Sequence, residues 1–286
     1  PRTASELDVN KLVELMLGFE LGDMFPSRKA IPHDTPLVQV RDLWPDGLLE
    51  PVSFDVYPGE ILGLAGQLGS GTGDILGAMA GATKTRGGKL IYQGEEFLPA
   101  RPKEAIRRGI AYCSDDRKID GLFLGRPIME NFSAPALETI STRGFLNKAT
   151  EIRTTTENAE KFTVDPSRLP QEAGVLSGGN QQKVALGKWL SINPMVILVN
   201  EPTRGVDVGA RAEIYQKLRA LADEGAAIVI ASTDIQEITN LPDRVVTFYR
   251  GIQIGEIGLE EMAAAAILEQ ITDPFHEAGL AAETAS

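Results

Sequence analysis

The stretch ILGLAGQLGSGTGDILGAMAG, residues 61–81, decides the fold. Its first six residues, Ile61 to Gly66, are apolar or small and end in a glycine-rich loop. A helical pattern follows, with Ile75 and Met79 four apart on one face. Strand, glycine loop, helix is the order in which backbone N–H groups and a helix N-terminus can face a phosphate. The pattern for such a loop is G-x-x-x-x-G-K-[ST]. Gly66 and Gly71 keep their places, but the lysine slot is Thr72 and the hydroxyl slot is Gly73. The loop alone leaves two readings open. Gly66, Gly69, Ser70, Gly71, Thr72, Gly73 and Asp74 form either a phosphate cradle without its charge or a tight strand-to-helix turn.

Two further apolar runs, MVILVN (195–200) and AAIVIAS (226–232), suit strands buried on both faces of a parallel sheet. Between them VGARAEIYQKLRALADEG (208–225) has helical spacing and ends in a capping glycine. This alternation predicts an α/β core with right-handed crossovers. Residues 37–60 and 86–98 alternate apolar and polar and predict an antiparallel β-lobe. Residues 121–180 predict an inserted helical lobe around NKATEIRTTTENAEKF. Residues 1–36 read as a lead-in helix and a proline-broken linker, and 259–286 as a helical tail. The cassette proper is thus expected over 37–258.

Composition narrows the function classes. The 286 residues carry a net charge of -12, and Lys and Arg are dispersed, which disfavours a nucleic-acid partner. The one cysteine, Cys113, rules out an intrachain disulfide framework and reads as a small buried residue. No apolar run reaches the ~20 residues of a membrane span, and the N-terminus carries no export signal. A soluble, cytosolic protein is expected. His33 and His276 have no partners at metal-ligand spacing, so no metal site of the protein's own is expected.

Two stretches choose between the readings of the loop. LSGGNQQKVALGKWL (176–190) opens a helix with serine and two glycines. VILVNEPTRGVD (196–207) is an apolar strand ending at Asn200 and Glu201, with Asp207 beyond. Together with the loop they resemble the ATP-binding cassette (ABC) family. GIAYCSDDRKIDGL (109–122) and the lead-in LVELMLGFELGDMFP narrow the likeness to the second half of tandem ATPase subunits of ribose- and galactose-type sugar importers. The start at Pro1 agrees with a C-terminal half.

The resemblance implies a RecA-like core and ATP with Mg²⁺ as cofactor. It also implies which groups are missing. Thr72 and Gly73 replace the lysine and the metal-binding hydroxyl, in phase with Ile75 and Gly81. Asn200 stands for the strand-end aspartate, Asp115 for a glutamine that reaches the metal, and Thr233 for the switch histidine. Glu201 is kept as the carboxylate that polarises water. Leu176, Ser177, Gly178, Gly179, Asn180 and Gln181 match the signature, which in this family closes the nucleotide of a paired cassette. Trp44 lies near the place of the adenine-stacking aromatic, though a core tryptophan is the plainer reading.

The partners implied are the first nucleotide-binding domain of the same subunit, membrane permease subunits and, indirectly, a sugar-binding protein. The implied location is the cytoplasmic face of the membrane. One rival is a non-hydrolysing structural or regulatory half. Another is a soluble cassette protein of DNA repair or translation.

Overall fold

In the computed structural model, which describes residues 24–28 and 35–274, strands β1 (Val38–Pro45) and β2 (Val52–Val56) alternate buried and less buried side chains. That period of two marks a sheet with one face on the core. With β4 (Thr85–Tyr92) and β5 (Glu95–Phe97) they make an antiparallel sheet in the order β2-β1-β4-β5.

Strand β3 (Ile61–Gly66) is buried at all six positions. It lies inside a second sheet with β6 (Ile110–Cys113), β9 (Val196–Asn200), β10 (Ala227–Ser232), β11 (Arg244–Tyr249) and β12 (Ile252–Ile257). The order is β12-β11-β3-β10-β9-β6, and only the β11–β12 pair is antiparallel. Alternate residues of β3 serve two cores. Ile61 and Ala65 face a cluster with Phe132, Val184 and Ile214. Leu62 and Leu64 face a cluster with Ile75, Val40 and Leu90. Each such side chain removed from water stabilises the fold by ~1.5–3 kcal/mol.

The first core lies under α3 (Ile128–Ser133), α4 (Lys148–Lys161), α5 (Gly178–Gly187) and α6 (Val208–Asp223). The second lies under α1 (Thr72–Met79) and the antiparallel sheet. Short helices α2 (Pro102–Arg107), α7 (Ile235–Asn240) and α8 (Ala264–Thr272) pack at the edges. Among the described residues no helix is long and apolar enough to cross a membrane.

Two buried ion pairs fix where β3 begins. Arg219 grips Asp243 at 2.8 and 3.0 Å, and Asp243 also accepts from the N–H of Ile61 at 2.9 Å. Arg244 grips Glu60 at 2.9 and 3.2 Å. Removing Asp243 would leave Arg219, and removing Arg244 would leave Glu60, as a buried charge without its ion-pair partner, which costs ~3–5 kcal/mol; Arg244 itself also pairs with Glu256 at 2.7 Å.

The helical insert contains something periodicity did not announce: a two-stranded hairpin of β7 (Ser141–Thr142) and β8 (Phe145–Leu146). Arg143 and Gly144 turn it with φ of 52° and 83°, a twist that suits two-residue hairpins. Of the tail, Leu259–Glu261 is a 3-10 turn and α8 a helix. The lead-in helix, His33 and His276 lie outside the described residues.

Candidate functional site

The loop after β3 projects from the C-terminal edge of the sheet, where ligands of open α/β sheets bind. Gly69 and Gly71 adopt φ of 83° and 90°. A Cβ on Gly71 would lie 2.5 Å from Leu48 Cδ1, so position 71 needs glycine for conformation and for space. Gly66 is crowded by Ser70, whose Oγ lies 2.3 Å from where its Cβ would be. Ser70 Oγ in turn lies 3.4 Å from Thr72 Oγ1. Helix α1 starts at Thr72 with no side-chain cap. Its first N–H groups therefore point into the space above the loop. Gly81 closes this segment at φ 70°, against the backbone of Pro99 and Arg101.

That space is a cleft of about 670 Å³, lined by residues 67–74 together with Thr83, Tyr112, Asp115, Asn200, Glu201, Arg204 and Thr233. The structure thus brings the loop, Asp115, Asn200, Glu201 and Thr233 to one place. Trp44 is outside the lining. It is half-buried beside the turn at 46–48, its Nε1 donates to Leu48 O at 3.2 Å, and the Arg86 guanidinium sits 5.4 Å from its ring. Cys113 is buried on β6, and burial pushes its thiol up to about 12.

Glu201 follows β9 directly and holds a left-handed backbone, φ 54°. A non-glycine residue there is uncommon and costs of order 1–3 kcal/mol. The turn aims its carboxylate across β10: Oε1 accepts from Thr233 N–H at 2.8 Å. Beneath it, Thr203 Oγ1 donates to the buried Glu237 at 2.8 Å and lies 3.3 Å from the Tyr215 hydroxyl. Burial raises the Glu237 pKa above its ordinary value, against the pull of hydrogen bonds from Ser232, Thr203 and Tyr215.

Arg204 lies within VILVNEPTRGVD, where nothing local marks it as a site residue. Its Nη1 pairs with Asp115 Oδ2 at 2.6 Å across the mouth of the cleft. Arg117 ties the same strip down from the other side, donating to the carbonyls of Arg204 at 2.6 Å and Gly205 at 3.2 Å. Only tertiary structure joins residues 115–117 to 204–205, so no local pattern could have announced the pairing. Asp74 points away from the loop, against the turn at Gly47; burial, then the neighbouring Asp46, raises its pKa.

The signature segment is built by close packing. Ser177 is exposed and caps α5, accepting from Asn180 N–H at 3.4 Å. A Cβ on Gly178 would meet Gly205 O at 2.8 Å, and one on Gly179 would meet Ala210 Cβ at 2.6 Å. Asp207 caps α6 through the N–H of Ala210 at 3.0 Å. Leu176 is buried, and Gln181 Nε2 donates to its carbonyl at 3.2 Å and to Ala173 O at 3.5 Å. The start of α5 is thereby held against the 204–207 strip.

The cradle fits phosphate oxygens: glycine backbone, an uncapped helix start and room. It does not fit a divalent cation. Hard cations take carboxylate and hydroxyl oxygens. Position 73 has no side chain, and the neutral amide of Asn200 crowds it, Nδ2 lying 2.7 Å from where a Cβ would be. One oxygen of Asp115 is engaged by Arg204 and one of Glu201 by Thr233, and no group of three or more His, Cys, Asp or Glu among the described residues could hold a metal ion.

A family model described as ABC transporter matches residues 49–204. The chain belongs to the ABC transporter family. It is similar to a putative ribose/galactose/methyl galactoside import ATP-binding protein of Pseudomonas fluorescens, 36% identical over 266 residues, covering 93% of this chain and 52% of that one. It is also similar to the ribose import ATP-binding protein RbsA of Geobacillus kaustophilus, 38% identical over 250 residues, covering 87% and 50%. The chain spans about half the length of the curated relatives it matches. Its fold matches a nucleotide-free ATP-binding cassette from an ABC transporter, TM-score 0.72 at 19% identity, over 84% of this chain and 99% of that one. A cassette in its ADP conformation matches with TM-score 0.69 at 22% identity, over 84% and 96%. The family's fold is therefore this chain's fold: a largely parallel sheet, an antiparallel lobe and helices.

Proposed function

We propose that this chain is the second nucleotide-binding domain of a sugar-importer ATPase subunit, with an impaired site of its own and a working signature offered to a partner cassette. It would act at the cytoplasmic face of a permease, beside the first cassette of the same subunit. The relatives' names support the sugar class, and their double length supports a tandem subunit.

One contrast carries the reading. The cleft above residues 66–73 keeps its backbone cradle but has no lysine, no hydroxyl at 73 and no carboxylate at 200. The start of α5 keeps Ser177 exposed and Gly178 and Gly179 packed in place. Each missing charge-assisted contact is worth ~1.5–3 kcal/mol. Two or three losses weaken nucleotide affinity roughly 10²-fold or more. Phosphoryl transfer rests on positioning and electrostatics, so turnover suffers more than binding. Glu201 is placed to act as a base, but there is little to position what it would act on. At α5, by contrast, an exposed serine hydroxyl stands at a helix start, the chemistry that takes a γ-phosphate presented by another chain.

Ser177→Arg in the assembled transporter tests this. Arginine would fill the docking position and stop hydrolysis at the partner's site. Loss of the long 3.4 Å cap bond costs this domain only ~0.5–1 kcal/mol. Full ATPase and transport activity in that variant refutes the in-trans role.

A further inference from the structure

The lining of the cleft is unbalanced in charge. Among its described residues the acidic side chains are Asp115 and Glu201, that of Asp74 being directed at the Gly47 turn instead. Among the same described residues the one cation is Arg204, already held by Asp115 at 2.6 Å. Ser70, Thr72, Asn200 and Thr233 are neutral. The groups that attract phosphate are therefore dipoles: the uncapped start of α1, the loop amides and the side chain of Asn200.

Asn200 is the telling residue. It ends β9, a strand paired to β10 up to Ala231, so its backbone is fixed. Its side chain makes no hydrogen bond among the described residues. It stands against Gly73 at the start of α1, with Nδ2 at the place a residue-73 side chain would occupy. An amide presents N–H donors there. Such an amide can donate to a phosphate oxygen and brings no negative charge to hold a cation.

We propose, resting on the reading of this cleft as a nucleotide site, that its ligand is a nucleoside diphosphate held without a divalent cation. A third phosphate adds nothing to binding. It brings further negative charge beside Glu201 and Asp115, with no unpaired cation in the lining to receive it. In solution Mg²⁺ neutralises part of that charge, so the disadvantage of the triphosphate is largest when no metal is present. Such a site stays loaded through its partner's cycle and does not read the γ-phosphate.

Calorimetric titration of the purified chain with ADP and with ATP, each in EDTA and in excess Mg²⁺, tests the proposal. ADP is expected to bind in EDTA at least as tightly as ATP. Its apparent Kd should rise, not fall, when excess Mg²⁺ is added, because metal that complexes free ADP competes with a site that takes the diphosphate bare. Asn200→Asp removes the donor and adds a negative charge, so ADP binding in EDTA should fall about tenfold and recover with Mg²⁺. Asn200→Ala removes the donor alone; it should weaken ADP binding a few-fold and leave the response to Mg²⁺ as in the parent, which covers the case that the aspartate variant does not fold. ATP binding tenfold tighter than ADP, an Mg²⁺ requirement for ADP, or unchanged ADP affinity in a folded position-200 variant overturns the proposal while leaving the nucleotide reading intact. A folded chain that takes neither nucleotide in either condition overturns both, and is distinguished by a normal thermal melt.

Discussion

Restoring the three missing groups, by Thr72→Lys, Gly73→Ser and Asn200→Asp together, should raise Mg·ATP affinity at least tenfold. The lysine supplies one charge-assisted contact, worth ~1.5–3 kcal/mol. The serine has a steric cost. Its Cβ would sit 2.7 Å from the present Nδ2 of residue 200. Ordinary contact begins near 3.4 Å, so the side chain at 200 must swing aside. An off-rotamer side chain costs ~0.5–1.5 kcal/mol, which offsets a large part of the lysine's gain. The restored carboxylate and hydroxyl then share a cation with the nucleotide and contribute a further ~1.5–3 kcal/mol. The balance is at least ~1.4 kcal/mol, or tenfold. Gly73→Ser alone carries the cost without the gain; it should lower the melting temperature and leave affinity flat. Calorimetry with Mg·ATP, beside a thermal melt of each variant, reads both quantities. A triple variant that melts like the parent and binds Mg·ATP no more than threefold tighter would show that the cradle is not formed as described.

Other expectations follow from packing and charge. Gly81→Ala places a methyl 2.8 Å from Pro99 O at φ 70°; left-handed strain and overpacking together should cost about 2–4 kcal/mol in urea denaturation. Glu237 has a raised pKa in the folded state, so the folded protein holds a proton that the unfolded chain has lost. Its contribution to stability is therefore greatest below the ordinary glutamate range and declines as pH rises toward the folded value, with a slope of at most about 1.4 kcal/mol per pH unit for one proton. Glu237→Gln should remove that slope; a pH profile of the urea midpoint identical to the parent's would refute the assignment.

Much of the fold was legible because it follows from period and length. A six-residue run buried on both faces, a glycine loop and a helix at 72 leave few alternatives, and three such apolar runs imply a parallel sheet. The hairpin at 141–146 was not legible, because two-residue strands carry no period to detect; only the Arg143-Gly144 turn hinted at it. The site divides in the same way. Residues 66–74 and 176–181 are local motifs and could be read along the chain. The Asp115–Arg204 pair, the Arg117 clamp and the contact of Asn200 with Gly73 join residues far apart in sequence, and only the packed sheet creates them. Asp74 illustrates the limit: it belongs to the loop in sequence and to the 46–47 turn in space.

The place of β3 in the sheet also sets a timetable. Its neighbours are β10 and β11, so the strand that carries the loop has no partner until residues 227–249 have been made. Glu60, at its start, is clamped by Arg244, 184 residues later. At a ribosomal pace of ~5–20 residues per second, roughly 10–40 s pass between the two. Until β10 is made, Ile61, Leu62 and Leu64 are an apolar strand with both edges bare, a form prone to pairing with other chains. A product that stops before residue 227 has its phosphate loop but can never close the sheet around it, and belongs to the chaperones and proteases.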